Sequence, residues 1–381
     1  MNAPLTWGQT AHALGAEFAA RAAAHDRDGS FPFENFTQLH QAGLLALAAP
    51  RELGGQGATL MQLGEVIGAI GQGDPTTALV LIMQYIQHRS MGRPGRVWPE
   101  DVARQLVRES NEGVSLVNSL RVEPELGSPA RGGLPATVAR RTAEGWRVSG
   151  HKIYSTGAPI LTWYAVWART DEAEPRLGTF LVRAGLPGIR IVETWDHLGL
   201  RASGSHDVIL EDVLIAPEHA LDLRQPHDWT GGDPSLQADM TVLMGALYTG
   251  VARAARDWVI DFLRQRKPAS LGAALATLPR AQEIVGTLEA LLLTNDWLIA
   301  SLARDVDAGV AVPAVDSGLI KSIATNNAVE AVQAALSLSS NHGLTRKNPL
   351  ERHLRDVLCG RIHTPQDDSV HIAAGRRALG V

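Results

Sequence analysis

Apolar residues recur along this chain at two spacings, and the switches between them divide it into three stretches. From 8 to 24 the sequence is alanine-rich, and Ala11, Leu14, Phe18 and Ala22 mark one face of a helix that Asp28-Gly29 ends. A second helix is expected to open near Pro32 and carry Phe36, Leu39 and Leu44. It leads into Pro50-Arg51-Glu52-Leu53-Gly54-Gly55-Gln56-Gly57, a loop suited to a glycine-rich backbone. Helices over 59–72 and 75–92 follow; Asp74 caps the second, Pro75 takes its first position, and Leu79, Ile82, Met83 and Ile86 keep helical spacing. Trp98-Pro99-Glu100 starts another that reaches about residue 111. Between Val114 and Ile215 the pattern becomes short β-branched and aromatic runs: Thr137 to Arg141, Arg147 to Tyr154, Trp163 to Arg169, Thr179 to Arg183, Ile189 to Glu193 and His206 to Leu210. From about 233 it is helical again, in long pieces broken at Lys267-Pro268, Val312-Pro313, Gly343 to Pro349 and Thr364-Pro365.

Helices, then strands, then helices, without alternation, exclude a doubly wound parallel sheet. The fold class is α+β, mostly α: a helical N-terminal domain (1–113), a β middle domain (114–220) whose runs make a small antiparallel barrel or sandwich, and a C-terminal helical bundle (221–381). The bundle helices carry apolar residues on more than one face, as at Leu288 to Leu293. A helix apolar all round must be buried, so a homotetramer is expected.

Composition narrows the function. A chain of 381 residues, 45% hydrophobic and 20% charged, buries a large core. Its net charge of −5 leaves no basic excess for nucleic acid. The single cysteine, Cys359, excludes an intrachain disulfide and a multi-cysteine metal site, and fits a reducing cytosol. The N-terminus lacks the signal-peptide pattern and no run of 18 apolar residues occurs, so a cytoplasmic protein without membrane insertion is expected.

Candidate chemistry centres on Gly145-Trp146-Arg147-Val148-Ser149-Gly150-His151-Lys152-Ile153-Tyr154-Ser155-Thr156-Gly157, a strand, bend and strand ending at a polar edge beside an aromatic, a seat for a flat heterocycle. Around it stand Gly43-Leu44 through Pro50 with Gly54-Gly55-Gln56-Gly57; Glu123-Pro124-Glu125-Leu126-Gly127-Ser128; Leu198-Gly199-Leu200-Arg201-Ala202-Ser203; Glu211-Asp212-Val213; and Pro349-Leu350-Glu351-Arg352-His353-Leu354-Arg355-Asp356. In this order and spacing they resemble the acyl-CoA dehydrogenase superfamily of flavoproteins along the whole chain. The resemblance implies a helical N-domain, an antiparallel β-barrel middle domain and a C-terminal four-helix bundle.

It also implies a site. Thr156 matches the residue that donates near flavin N5, and Tyr154 the aromatic that lies against the ring; a donor there stabilises electron density on the reduced flavin. The loop Arg121-Val122-Glu123-Pro124 matches backbone contacts to the pyrimidine edge, and Ser128 the serine near the pyrophosphate, although Val122 replaces the usual threonine and Pro129 the usual aspartate. At the adenine end Arg266 with Leu271-Gly272 stands for Arg-x-x-Phe-Gly, with two extra residues before the glycine, and only Gly343 survives of the paired glycine segment. Gln282, Gln366 and Asp368 complete the cofactor-contact positions. FAD is favoured on family grounds, with FMN as the alternative.

Such dehydrogenases need a carboxylate to remove the α proton of an acyl-CoA while a hydride passes to the flavin. Counting from Arg355-Asp356 puts that carboxylate at Thr364; in other members it lies on an earlier helix, here at Gly250. Neither is acidic, and Asp367 and Asp368, about one turn beyond Thr364, read as N-cap groups of the next helix. Histidine occupies the region instead: His363 adjoins the vacated place, and His88 lies on the helix that borders the substrate pocket in this fold. The helix from Tyr248 to Trp258 is similar to the two-component flavin monooxygenases of the dibenzothiophene-oxidising type, which lack the glutamate, use reduced flavin and oxygen, and carry histidines near the flavin. A histidine with a pKa near 6.5 exchanges protons at neutral pH. The readings are a flavin oxidoreductase acting on an acyl-CoA or acyl-like substrate with electron-transfer flavoprotein as partner, a monooxygenase served by a flavin reductase and acting on an aromatic or organosulfur-like molecule, and a non-catalytic ligand-binding member. His363, Thr364 and His88 are the catalytic candidates.

Overall fold

The computed structural model describes residues 5–93, 98–125, 133–229 and 233–381. The N-terminal layer contains α1 (Trp7–Asp28), α2 (Phe33–Gln41), α3 (Leu60–Gly73), α4 (Pro75–Met91) and α5 (Glu100–Glu112). Asp74 caps α4 as expected, its carboxylate accepting from Thr76 N at 3.1 Å, while Pro75 spends no N–H in the first turn. Leu44 falls beyond α2 rather than on it, because the chain turns out of the helix through Gly43 at φ 71°; the side chain is buried all the same.

The middle layer is one eight-stranded sheet: β1 (Leu116–Leu120), β2 (Val138–Arg141), β3 (Trp146–Ser155), β4 (Leu161–Thr170), β5 (Leu177–Arg183), β6 (Ile189–Val192), β7 (His206–Ile215) and β8 (Ala220–Arg224). Its order is β6-β7-β3-β2-β4-β5-β8, with β1 also on β4. Most pairs are antiparallel, but β1 and β2 both run parallel to β4, β1 from its first residues and β2 at its end. Strands β1 and β8 lie outside the runs expected from sequence.

Three long helices follow, α6 (Pro234–Gln265), α7 (Pro279–Asp307) and α8 (Ala314–Ser339), then the short α9 (Asn341–Leu344), α10 (Leu350–Leu358) and α11 (Asp367–Leu379). α6 is the spine: it packs on α3, α4, α7, α8 and α10. On α7, Leu288 and Leu292 point into the core while Leu293 and Trp297 are exposed, Trp297 at 68%.

Candidate functional site

β3 ends in a register shift against β7 between Lys152 and Ser155, and Tyr154 sits there at φ 56°. Left-handed backbone is an outlier for a bulky aromatic and is held only where surroundings impose it. The result is a ring that stands out of the sheet, 53% exposed. It lies edge-on to Trp195 (6.2 Å, 83°) and His197 (5.8 Å, 86°), which stack on each other at 3.7 Å. Trp195 is fixed by its Nε1, which donates to Leu200 O at 3.0 Å. Beside this ledge runs a row of hydroxyls: Thr156 Oγ1 bonds Ser205 Oγ at 3.0 Å, Ser205 bonds Ser203 at 2.8 Å, and Asn118 Nδ2 donates to Thr156 O at 3.0 Å. Ser155 Oγ is buried with no partner. An exposed ring, a half-buried hydroxyl and an orphaned hydroxyl at one strand end fit the polar rim of a flat heteroaromatic group such as flavin. Sequence reasoning singled out Tyr154 and Thr156, which lie at this strand end; it did not single out Trp195, His197, Ser205 and Asn118, which the fold gathers beside them, though Trp195 and His197 immediately precede the Leu198 to Ser203 segment.

The neighbouring loop is pinned from both sides. Val122 O accepts from Ile153 N at 3.0 Å, tying it to β3. The Glu123 carboxylate is consumed by the fold: it accepts from Ala136 N (2.6 Å), Thr137 N (3.1 Å), Thr137 Oγ1 (2.5 Å) and Lys152 Nζ (2.6 Å). Burial alone would raise its pKa, but the hydrogen bonds from Lys152 and Thr137 and the lysine charge hold it below the usual range. Burial pushes Lys152 down to about 8, more than Glu123 restores. Any flavin contact here falls to the backbone around Val122, the side chain of Glu123 being fully engaged. Ser128 lies outside the described residues.

At the two places where the resemblance puts the carboxylate, the chain has Thr364 and Gly250. Thr364 is an exposed residue of the loop before α11. Gly250 is a contact point of α6 on α3: a β-carbon there would lie 2.4 Å from Gly68 O, so no acidic side chain fits. Two residues earlier, Tyr248 is buried and its hydroxyl meets His363 Nε2 at 2.7 Å, joining the two vacated places directly. Burial, and then the Lys321 charge, push His363 down to about 4, while burial raises Tyr248 well above its usual value. The pair is neutral at neutral pH. Asp367 accepts from Asn326 Nδ2 at 2.6 Å and Asp368 from Ser369 N at 2.7 Å, both in the first turn of α11.

His88 is fully buried, bonded through Nε2 to Gln84 at 3.1 Å, and Gln84 reaches Ser110, Ser115 and Val117. The His88 Nδ1 is buried without a partner, and neighbouring Arg89 carries a contact to α6 through Asp239. Burial pushes His88 down to about 3. At the adenine end, Arg266 is exposed after α6, Gln282 Nε2 donates to Ala276 O at 3.1 Å, and Gln366 precedes α11.

Known proteins match this arrangement throughout. Family models described as acyl-CoA dehydrogenase N-terminal, middle and C-terminal domains match residues 8–91, 121–213 and 242–367. A putative acyl-CoA dehydrogenase of Bacillus subtilis, YdbM, is 32% identical over 372 residues, covering 96% of this chain and 94% of that protein. The chain belongs to the acyl-CoA dehydrogenase superfamily of flavoproteins. As a member of that superfamily it is a flavin-dependent oxidoreductase. Another superfamily relative, the L-evernosamine nitrososynthase of a Micromonospora species, is 29% identical over 376 residues, 95% of this chain and 87% of that one. The X-ray structure of KijD3 in complex with FMN and dTDP-3-amino-2,3,6-trideoxy-4-keto-3-methyl-D-glucose superposes with a TM-score of 0.84 at 29% identity, covering 99% of this chain and 95% of the other.

Proposed function

We propose that this member of the superfamily is a monooxygenase supplied with reduced flavin, acting on a heteroatom-bearing small molecule, and not a dehydrogenase of acyl-CoA. One observation carries the reading: the two places where family members keep their carboxylate hold Thr364 and a packed Gly250, and a hydrogen bond between Tyr248 and His363 joins them. An α proton has no base to leave to. The 29% identity to a nitrososynthase and to the amino-sugar-bound KijD3 supports oxygenation of nitrogen or a similar atom. When bound, reduced flavin would supply the two electrons that activate dioxygen.

The chain's own residues would do the rest. Tyr154 covers the ring and keeps water from it, Thr156 and Ser155 offer hydroxyls to its polar edge, and the backbone near Val122 takes the pyrimidine side. Tyr248, held protonated by burial, donates to His363 Nε2, which leaves Nδ1–H as the ring's own donor for the chemistry. Replacing His363 with alanine should slow reoxidation of bound reduced flavin by roughly a hundredfold in stopped-flow absorbance. Because the ring stays neutral until the pH nears its depressed value of about 4, the wild-type rate should show no step near 6.5. An unchanged rate in His363→Ala would remove the histidine from the chemistry.

FMN, delivered by a separate reductase, is the cofactor we favour over FAD. The Gln282 amide is engaged by Ala276 O in the turn before α7, and the Asp368 carboxylate occupies a helix N-terminus where a pyrophosphate would need an uncontested donor. The FMN-bound KijD3 points the same way. In fluorescence titrations FMN should bind at least as tightly as FAD, and Thr156→Val should weaken FMN by roughly three- to tenfold, the worth of one hydrogen bond. Tighter FAD binding, or an unaffected variant, would count against these assignments. A dehydrogenase reading retains one point in its favour, the unpartnered Oδ1 of Asp367 as a substitute base.

A further inference from the structure

Behind the Tyr248–His363 pair lies a polar patch that the proposed role of His363 does not use. One face of α8 carries Gly318, Lys321, Ser322, Thr325 and Asn326. A β-carbon on Gly318 would meet Val370 of α11 at 3.1 Å; one on Gly360 would lie 3.3 Å from Thr325 and 3.1 Å from the Tyr248 ring. Lys321, one turn from each end of that face, is thus enclosed by α11 on one side and by the loop leading to His363 on the other. It is 1% exposed, and its Nζ has no hydrogen-bond partner. On the α11 side, Asp367 uses one oxygen for Asn326, which in turn accepts from the exposed Arg361 at 2.8 Å, while its Oδ1 is buried and unpartnered.

An open ammonium and an open carboxylate oxygen in one enclosed patch are costly unless something satisfies them. That something must accept from Lys321 and donate to Asp367. An anion is disfavoured by Asp367, a cation by Lys321, and an alkyl chain by both; a hydroxyl-type group meets both demands. We propose that Lys321 and Asp367 hold a water between them and that this water is the proton route from solvent to the Tyr248–His363 pair. The proposal rests on the oxygenase reading above. With flavin seated, the front of His363 is covered, and half-exposed Asp367 is the way out at the rear. Reoxidation of a bound reduced flavin anion by dioxygen would take up one proton, whether one oxygen atom is transferred to a substrate S (S + FMNH− + O2 + H+ giving SO + FMN + H2O) or released as peroxide (FMNH− + O2 + H+ giving FMN + H2O2). His363 gives up its Nδ1 proton as Nε2 takes the Tyr248 hydroxyl proton; the water replaces the hydroxyl proton and regains one from solvent at Asp367. Lys321 and Asp367 act through His363, as positioning residues.

The test loads wild type, Lys321→Met, Asp367→Ala and His363→Ala with reduced FMN and mixes each with oxygenated buffer in H2O and in D2O. Lys321→Met and Asp367→Ala should bind FMN within about twofold of wild type, since no direct cofactor contact is lost. They should reoxidise it roughly tenfold more slowly, with a larger solvent isotope effect and a rate that falls as pH rises. Lys321→Arg should restore much of the rate. If both variants match wild type in rate, pH profile and isotope effect while His363→Ala is slow, the route is overturned and the oxygenase reading stands. If His363→Ala itself matches wild type, that reading fails and the route loses its terminus. A high-resolution crystal structure of the wild type gives an answer independent of folding: a water at about 3 Å from both Lys321 Nζ and Asp367 Oδ1 is expected, and a direct Lys321–Asp367 ion pair without it would overturn the proposal.

Discussion

Replacing Lys152 with methionine is expected to remove about 3–5 kcal/mol of folding stability, because it leaves the Glu123 charge buried without its counter-ion. Both side chains are sealed in the middle layer, and Lys152 Nζ also donates to Trp167 O at 2.6 Å. Burial depresses the lysine more than Glu123 raises it, so the ammonium is costly in itself and needed chiefly by its partner. Lys152→Met combined with Glu123→Gln should therefore regain much of the loss. Acid unfolding adds a second readout. Glu123 ionises in the folded protein below its usual range, so it contributes stability that is present above the unfolded carboxylate pKa and is lost as pH falls through the depressed value. In Lys152→Met that depression shrinks, and acid unfolding should begin at higher pH. Urea unfolding that shows less than about 1 kcal/mol of loss would mean that the pair is dispensable.

Thr364→Glu should have the largest effect on chemistry. The residue is exposed in the loop before α11, so a glutamate there buries no unpaired charge. If the lacking base is what separates this chain from acyl-CoA dehydrogenation, restoring it should raise the rate at which butyryl-CoA bleaches the bound flavin under nitrogen by roughly a hundred- to ten-thousand-fold. The neighbouring His363, held neutral by burial, adds no opposing charge. No bleaching in the variant would indicate that the pocket itself rejects the thioester, a stronger departure from the family than the missing base.

The order of layers was legible because 3.6-residue and two-residue periodicities differ plainly between Leu79-Ile82-Met83-Ile86 and the runs from Thr137 to Leu210. Strand β8 was not: Ala220-Leu221-Asp222-Leu223-Arg224 has helix-favouring residues and becomes a strand only by pairing with β5. Residue identity placed Tyr154 and Thr156 at a strand end, but the ring stands clear of the sheet because of a left-handed backbone and a Trp195–His197 stack that no periodicity announces. Glu123 and Lys152 are 29 residues apart and Tyr248 and His363 are 115 apart, so each pairing exists only in the folded chain. His88 shows the opposite limit. Its helix was legible, yet which side of α4 it faces depends on Gln84 reaching Ser110 and Val117, a matter of packing.

On the proposed function, the wild-type protein has no base for an acyl-CoA and reacts instead through reduced flavin and dioxygen. Anaerobic mixing of the flavin-loaded wild type with butyryl-CoA, followed by flavin absorbance, tests it most directly. The absorbance should persist, while dioxygen admitted to the separately reduced protein restores the oxidised spectrum at a rate that depends on His363. Prompt bleaching of the wild type by the thioester would contradict the account and assign the base to Asp367, whose free Oδ1 lies in the first turn of α11 just beyond Thr364.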